Sequence, residues 1–132
     1  MSLIDDDRRL LLEEGAVRER WGQGPQLRFD NKSKRLGWDC RMDLKGNEFK
    51  VRIEYPPGYP AKPPEIRILM DFARRPPHLF GGNVLCWLHS EGKDRLRNTW
   101  QPGLDTAAEA MSAARQWLLA FMVWDVLDVW VL

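Results

Sequence analysis

The sequence predicts an α+β domain in which an N-terminal helix precedes a four-stranded antiparallel meander, an irregular active-site loop and C-terminal helices. Two observations carry this. Apolar residues alternate with polar ones between positions 27 and 70, and they recur at helical spacing before and after that span. A third is the stretch 71–103, which holds neither period and separates the strands from the last helices. With 132 residues, 44% of them hydrophobic, seven Trp and five Phe, the chain has the material for one core, so a single domain over 1–132 is expected.

Residues 4–20 read as the first helix. Asp5, Asp6 and Asp7 suit a first turn whose N–H groups are unpaired, and Leu10, Val17 and Trp21 keep to one side. Gly22, Gly24 and Pro25 end it. Leu27 and Phe29 then open the alternation, which turns at Asn31-Lys32-Ser33. Leu36, Trp38, Cys40, Met42 and Leu44 form the apolar phase of the next strand. A turn at Gly46-Asn47 leads to Phe49, Val51, Ile53 and Tyr55, and Ile66, Ile68 and Met70 repeat the pattern. Cys40 lies in the apolar phase and is expected in the core.

Between the third and fourth strands stands "YPPGYPAKPP", Tyr55 to Pro64, with five prolines in ten residues. Proline fixes φ and lacks an N–H, so neither helix nor interior strand fits. A polyproline ligand for another domain is one reading. The two tyrosines and the flanking strands favour a rigid flap packed on the fold, with Pro63-Pro64 as a candidate cis bond. At the far end Thr106-Ala-Ala-Glu109 is a capping box, and Ala110, Ala113, Ala114, Trp117, Leu118 and Phe121 follow on one face. Trp124 and Trp130 extend an apolar stripe expected to pack on the domain.

Charge and termini bound the function. Twenty basic residues against 19 acidic give +1, no field for nucleic acid. The start, "MSLIDDDRRLLLEEG", lacks a signal-peptide pattern, and the run Trp117 to Trp124 is too short to cross a bilayer. A cytoplasmic protein with free thiols at Cys40 and Cys86 is the expectation.

Chemistry concentrates in 71–103, which holds both histidines, the Gly81-Gly82 pair, Cys86 and Trp100. Cys86-x-x-His89 with His78 and Cys40 makes four metal ligands, but only one close-spaced pair where zinc sites favour two. A protease-like pair would use His78 or His89 as base, oriented by Asn83 or Asn98. A buried, inert thiol is the third reading.

The order of helix, meander, "YP…PP" flap, a loop with His, Gly and Cys, then Trp100-Gln101-Pro102 and a helix resembles ubiquitin-conjugating enzymes over residues 1–124. "HLFGGNVLCWL" is the counterpart of that family's cysteine segment. "AARQWLLAFMVWDVLDVW" is similar to its bacterial branch, some of whose members sit in antiphage operons, CBASS-type systems among them. The resemblance implies that Cys86 accepts a protein C-terminus as a thioester and passes it to a target lysine, with no cofactor and no metal. It implies a donor or modifier protein, an activating enzyme docking near Leu3 to Arg9, and a lysine-bearing target. The family's His-Pro-Asn tripeptide is missing, because the chain reads Pro77-His78-Leu79. Its oxyanion donor then falls to His78 or, second, Asn83, and the base to His78 or His89. "SEGKDRLRN", with Lys93, Asp94 and Arg95, is a polar insert that gates the site or is simply solvated. The competing expectation is a non-catalytic binding module on the same fold.

Overall fold

The computed structural model describes residues 6–88 and 99–132. Helix α1 spans Asp7–Trp21, and Asp6 caps it by accepting the Arg9 N–H at 3.1 Å. Four antiparallel strands follow in the spatial order of the chain: β1 Gln26–Asp30, β2 Arg35–Leu44, β3 Asn47–Glu54 and β4 Glu65–Ile68. Helix α2, Ala107–Leu127, lies on the apolar face of the sheet. One long helix thus stands where several C-terminal helices were expected among the described residues.

The alternation decides which face is buried. Trp38, Cys40, Met42 and Leu44 of β2 and Phe49, Val51 and Ile53 of β3 enter the core with Ile66 and Ile68 of β4. Against them α2 presents Ala110, Ala113, Ala114, Trp117, Leu118 and Phe121, all buried. Alanines in its first half let the helix approach closely, and the capping box at Thr106 and Glu109 forms as the sequence implies. Phe29 departs from expectation. It holds its phase but stays 47% exposed, because among the described residues β1 is an edge strand. The β2–β3 turn also sits one residue earlier than read: Lys45 and Gly46 both take positive φ, 50° and 84°, and Asn47 already belongs to β3.

On the opposite face of the sheet the Arg52 guanidinium lies across Gly37. A Cβ there would meet the Ile53 carbonyl at 2.6 Å and the Arg52 Cζ at 3.0 Å. Arg52 donates to Glu54 at 2.8 Å and to Asp39 at 3.0 Å, so the charges on this face neutralise one another.

The proline-rich segment packs on the fold as a flap. Tyr55 and Tyr59 are buried, and the Tyr59 N–H returns to the Pro56 carbonyl at 3.1 Å. The cis bond is Tyr59-Pro60, not Pro63-Pro64. Beneath the flap lies a charge that the helical stripe of α1 did not announce. Glu13 is fully buried. Its carboxylate accepts the hydroxyls of Tyr55 at 2.8 Å and Tyr59 at 2.6 Å, the Ala107 N–H at 2.8 Å and Nε of Arg9 at 3.0 Å. A carboxylate in this position is stable because four donors, one charged and one at the N-terminus of α2, surround it. Burial, reinforced by the nearby Glu13 charge, raises the pKa of both phenols, so they remain O–H donors. One side chain therefore joins α1, the flap and α2.

Candidate active site

The Cys86 segment is a tight hairpin. The Phe80 N–H donates to the Val84 carbonyl at 2.7 Å, Leu79 bridges Leu85, and the Cys86 N–H donates to the His78 carbonyl at 2.8 Å. A short 3-10 turn over Gly81–Asn83 forms its tip. The hairpin is fastened to the sheet through the Leu85 N–H, which donates to the Ile66 carbonyl at 2.8 Å, and through a bridge from Val84 to Arg67.

Alternation then fixes where the sulfur goes. Leu85 and Trp87 are buried, so Cys86 between them faces the other way and is partly exposed. It lines a groove of about 570 Å³ between the hairpin and the flap. Pro56, Pro57, Pro63 and Pro64 form one wall, and Phe80, Val84 and Leu88 contribute to the other. The polar end holds Lys62 and the ion pair of Arg35 with Glu65, whose nearest atoms are 2.7 Å apart. Two indoles steady the flap above the thiol: Trp87 donates to the Pro64 carbonyl at 3.2 Å and Trp100 to the Pro60 carbonyl at 2.7 Å. These bonds explain the Trp that precedes the loop's downstream proline. It clamps the flap that walls the groove.

The two cysteines differ sharply. Cys40 is 5% exposed in β2, and burial, with a smaller contribution from Asp39, pushes its thiol up to about 12. At pH 8 such a thiol is ionised in only about one molecule in 10⁴, and the thiolate is the reactive form. Iodoacetamide is expected to add one carbamidomethyl group to the native protein, at Cys86. Peptide mass mapping checks this, and comparable labelling at Cys40 would contradict the burial described. The place of Cys40 in the core also removes it from the four-ligand metal set.

The other candidates lie as follows. His78 has a left-handed backbone, φ 63°, and its ring packs on Trp130 at 5.6 Å between centroids. It shares the hairpin with Cys86 through the backbone bond already given. Asn83 is also left-handed, φ 59°, and its side-chain amide donates to the Met70 carbonyl at 2.7 Å, which ties the hairpin tip to the chain after β4. His89, Asn98, the polar insert with Lys93, Asp94 and Arg95, and Leu3 lie outside the described residues. Arg9, from the stretch assigned to an activating enzyme, turns inward. It donates to the carbonyls of Pro102 and Asp105, both at 2.6 Å, and so anchors the stretch that leads into α2.

Phe80 and Lys62 as groove residues were not singled out in the sequence. Phe80 stands 57% exposed beside the cysteine, and a large apolar residue next to two glycines was the available signal. No helix among the described residues is long and apolar enough to cross a membrane.

The profile of the family described as Type II CBASS E2 protein matches residues 13–132. Among solved structures, the chain is similar to the Vps23 UEV in its complex with ubiquitin, at 15% identity. That alignment covers 87% of this chain and 84% of that one, with a TM-score of 0.55. It is also similar to the human ubiquitin-conjugating enzyme E2 G1, at 17% identity over 86% of this chain and 95% of that one, TM-score 0.54. At such identities the likeness concerns the fold. Among curated protein sequences no match was found.

Proposed function

The chain belongs to the Type II CBASS E2 protein family, with the fold of ubiquitin-conjugating enzymes, and from this we propose that Cys86 carries a protein C-terminus as a thioester and delivers it to a lysine amine. The observation that supports this most directly is that Cys86 is half-buried and lines a groove, while the second cysteine is sealed in the core.

The cycle has two steps. The Cys86 thiolate attacks the acyl carbon of an activated C-terminus, a C–S bond forms, and the donor's leaving group departs. A lysine ε-amine then attacks the same carbon. The C–N bond forms, the C–S bond breaks, Cys86 leaves as thiolate, and the amine proton passes to a base. Sulfur suits both steps because it attacks acyl carbons readily and is a good leaving group. The donor protein, the lysine-bearing target and an activating enzyme are the partners this cycle requires, and a cytoplasmic setting suits its free thiol. His78 is assigned to the oxyanion, with Asn83 second because its amide already serves Met70. His89 remains a base candidate by sequence.

Thioester trapping tests the proposal. An acyl donor protein should give an adduct that a thiol reductant removes and that Cys86→Ala does not form. No adduct with any donor, together with a Cys86 that resists alkylation, would overturn it. That result would favour the second reading, a binding module. Two observations support that reading: the absent His-Pro-Asn, and the fold shared with a UEV solved in complex with ubiquitin. For His78→Ala, we expect lysine transfer to fall by up to about 10²-fold and thioester formation to change little. Single-turnover rates of the two steps separate these effects, and equal losses in both would remove the oxyanion role.

A further inference from the structure

We propose that Trp130 is a positioning residue for the active-site hairpin. Docked from the stretch that follows α2, its indole holds the His78 imidazole, and with it the left-handed backbone whose carbonyl receives the Cys86 N–H. The geometry stands on its own; the functional meaning rests on the reading of Cys86 as an acyl carrier.

The stretch after α2 is folded back by a specific set of contacts. Asp128 ends the helix in the left-handed region, φ 57°, with its N–H on the Trp124 carbonyl at 2.8 Å. Its carboxylate meets Arg74 at 2.6 Å, and the Arg74 guanidinium lies over the Trp124 ring at 3.7 Å from the centroid. This turn delivers Trp130 onto Trp117, 5.9 Å between centroids, and onto His78 at 5.6 Å. Trp117 in turn donates to the Pro77 carbonyl at 3.0 Å. The residue before His78 and the His78 ring are thus gripped by two indoles in contact, their planes inclined at 55°.

The need for such a grip is visible in the backbone. A histidine with positive φ persists only where its surroundings hold it there. Trp130 also keeps its Nε1–H away from water with no hydrogen-bond partner among the described residues. An indole tolerates that only where ring packing outweighs the unmade bond, so the rings are what dock it. No part of Trp130 lines the Cys86 groove. Its influence on the thiol therefore runs through the hairpin backbone at Pro77 and His78.

The test compares Trp130→Ala and Trp130→Phe in the full chain, with Val131→Ala at an exposed neighbour as control. Amide hydrogen exchange is read at Cys86 and, for global stability, at Val51 in β3. The alanine variant should exchange its Cys86 amide about two- to tenfold faster while Val51 is unchanged, the range expected for one lost aromatic pair. The His78 imidazole proton resonances should move downfield as the indole ring current is lost. Phenylalanine should restore most of both effects, and Val131→Ala should show neither. In single turnovers, lysine transfer should slow two- to tenfold more than thioester formation.

An unchanged Cys86 amide would overturn the proposal, and so would equal acceleration at Val51. A loosened Cys86 amide in a protein that accepts no acyl group would leave the positioning role standing and remove the carrier reading instead.

Discussion

Glu13→Ala is expected to cost about 3–5 kcal/mol, the usual loss when one partner of a buried, hydrogen-bonded charge is removed. The variant strands four donors at once. Arg9, Ala107 N–H and the hydroxyls of Tyr55 and Tyr59 all converge on this carboxylate, and Tyr55 relays the chain to the Trp38 indole at 2.7 Å. Burial keeps both phenols protonated, so each is left with an O–H that has lost its acceptor. Of a typical domain stability of about 5–15 kcal/mol, such a loss is a large share. Glu13→Gln should cost less, because the amide oxygen still accepts while its NH₂ lacks an acceptor. Urea unfolding of the two variants reads the difference. A loss below about 1 kcal/mol in Glu13→Ala would mean that the tyrosines and Arg9 find other partners when the carboxylate is gone.

That residue also shows where local pattern stops informing. Leu10, Val17 and Trp21 marked one side of α1 correctly, and Val17 is fully buried. Glu13 sits on the same side by spacing, three residues after Leu10 and four before Val17, and the stripe invites the conclusion that a charge there is unfavourable. What makes it favourable comes from Tyr55, Tyr59 and Ala107, between 42 and 94 residues away. Period-two alternation, by contrast, needs no distant knowledge. It placed Trp38, Cys40, Met42, Val51, Ile53, Ile66 and Ile68 in the core because a strand's two faces are set by its own backbone.

The site divides along the same line. The order of flap, loop, cysteine and Trp-Pro was legible, and the alternation of Leu85, Cys86 and Trp87 explains why the sulfur faces out. Which residues share its groove was not legible, since Pro56 and Phe80 come to line one groove only through the tertiary packing of flap and hairpin. Nor was the commitment of Asn83 to Met70 or of His78 to Trp130, each of which depends on a tertiary contact. Short-range sequence carries the nucleophile, and long-range packing decides what surrounds it.

Cys86→Ser should lower lysine transfer by at least about 10³-fold, because both halves of the proposed cycle lose what sulfur supplies. An ordinary serine hydroxyl is almost wholly protonated at neutral pH, whereas a cysteine near its usual pKa is a few per cent thiolate. In the second step an alkoxide is a poorer leaving group than a thiolate, so any acyl-enzyme that forms should persist as an oxyester. The measurement is a gel-shift time course with and without thiol reductant. Wild type should give a transient, reductant-sensitive adduct, and Cys86→Ser a weak, reductant-resistant one. Cys40→Ala is the control, since that thiol is sealed in the sheet and should leave charging intact. An adduct in Cys86→Ser that forms at the wild-type rate would place the acyl group on another side chain, and the groove beneath the flap would then be a docking cleft without chemistry of its own.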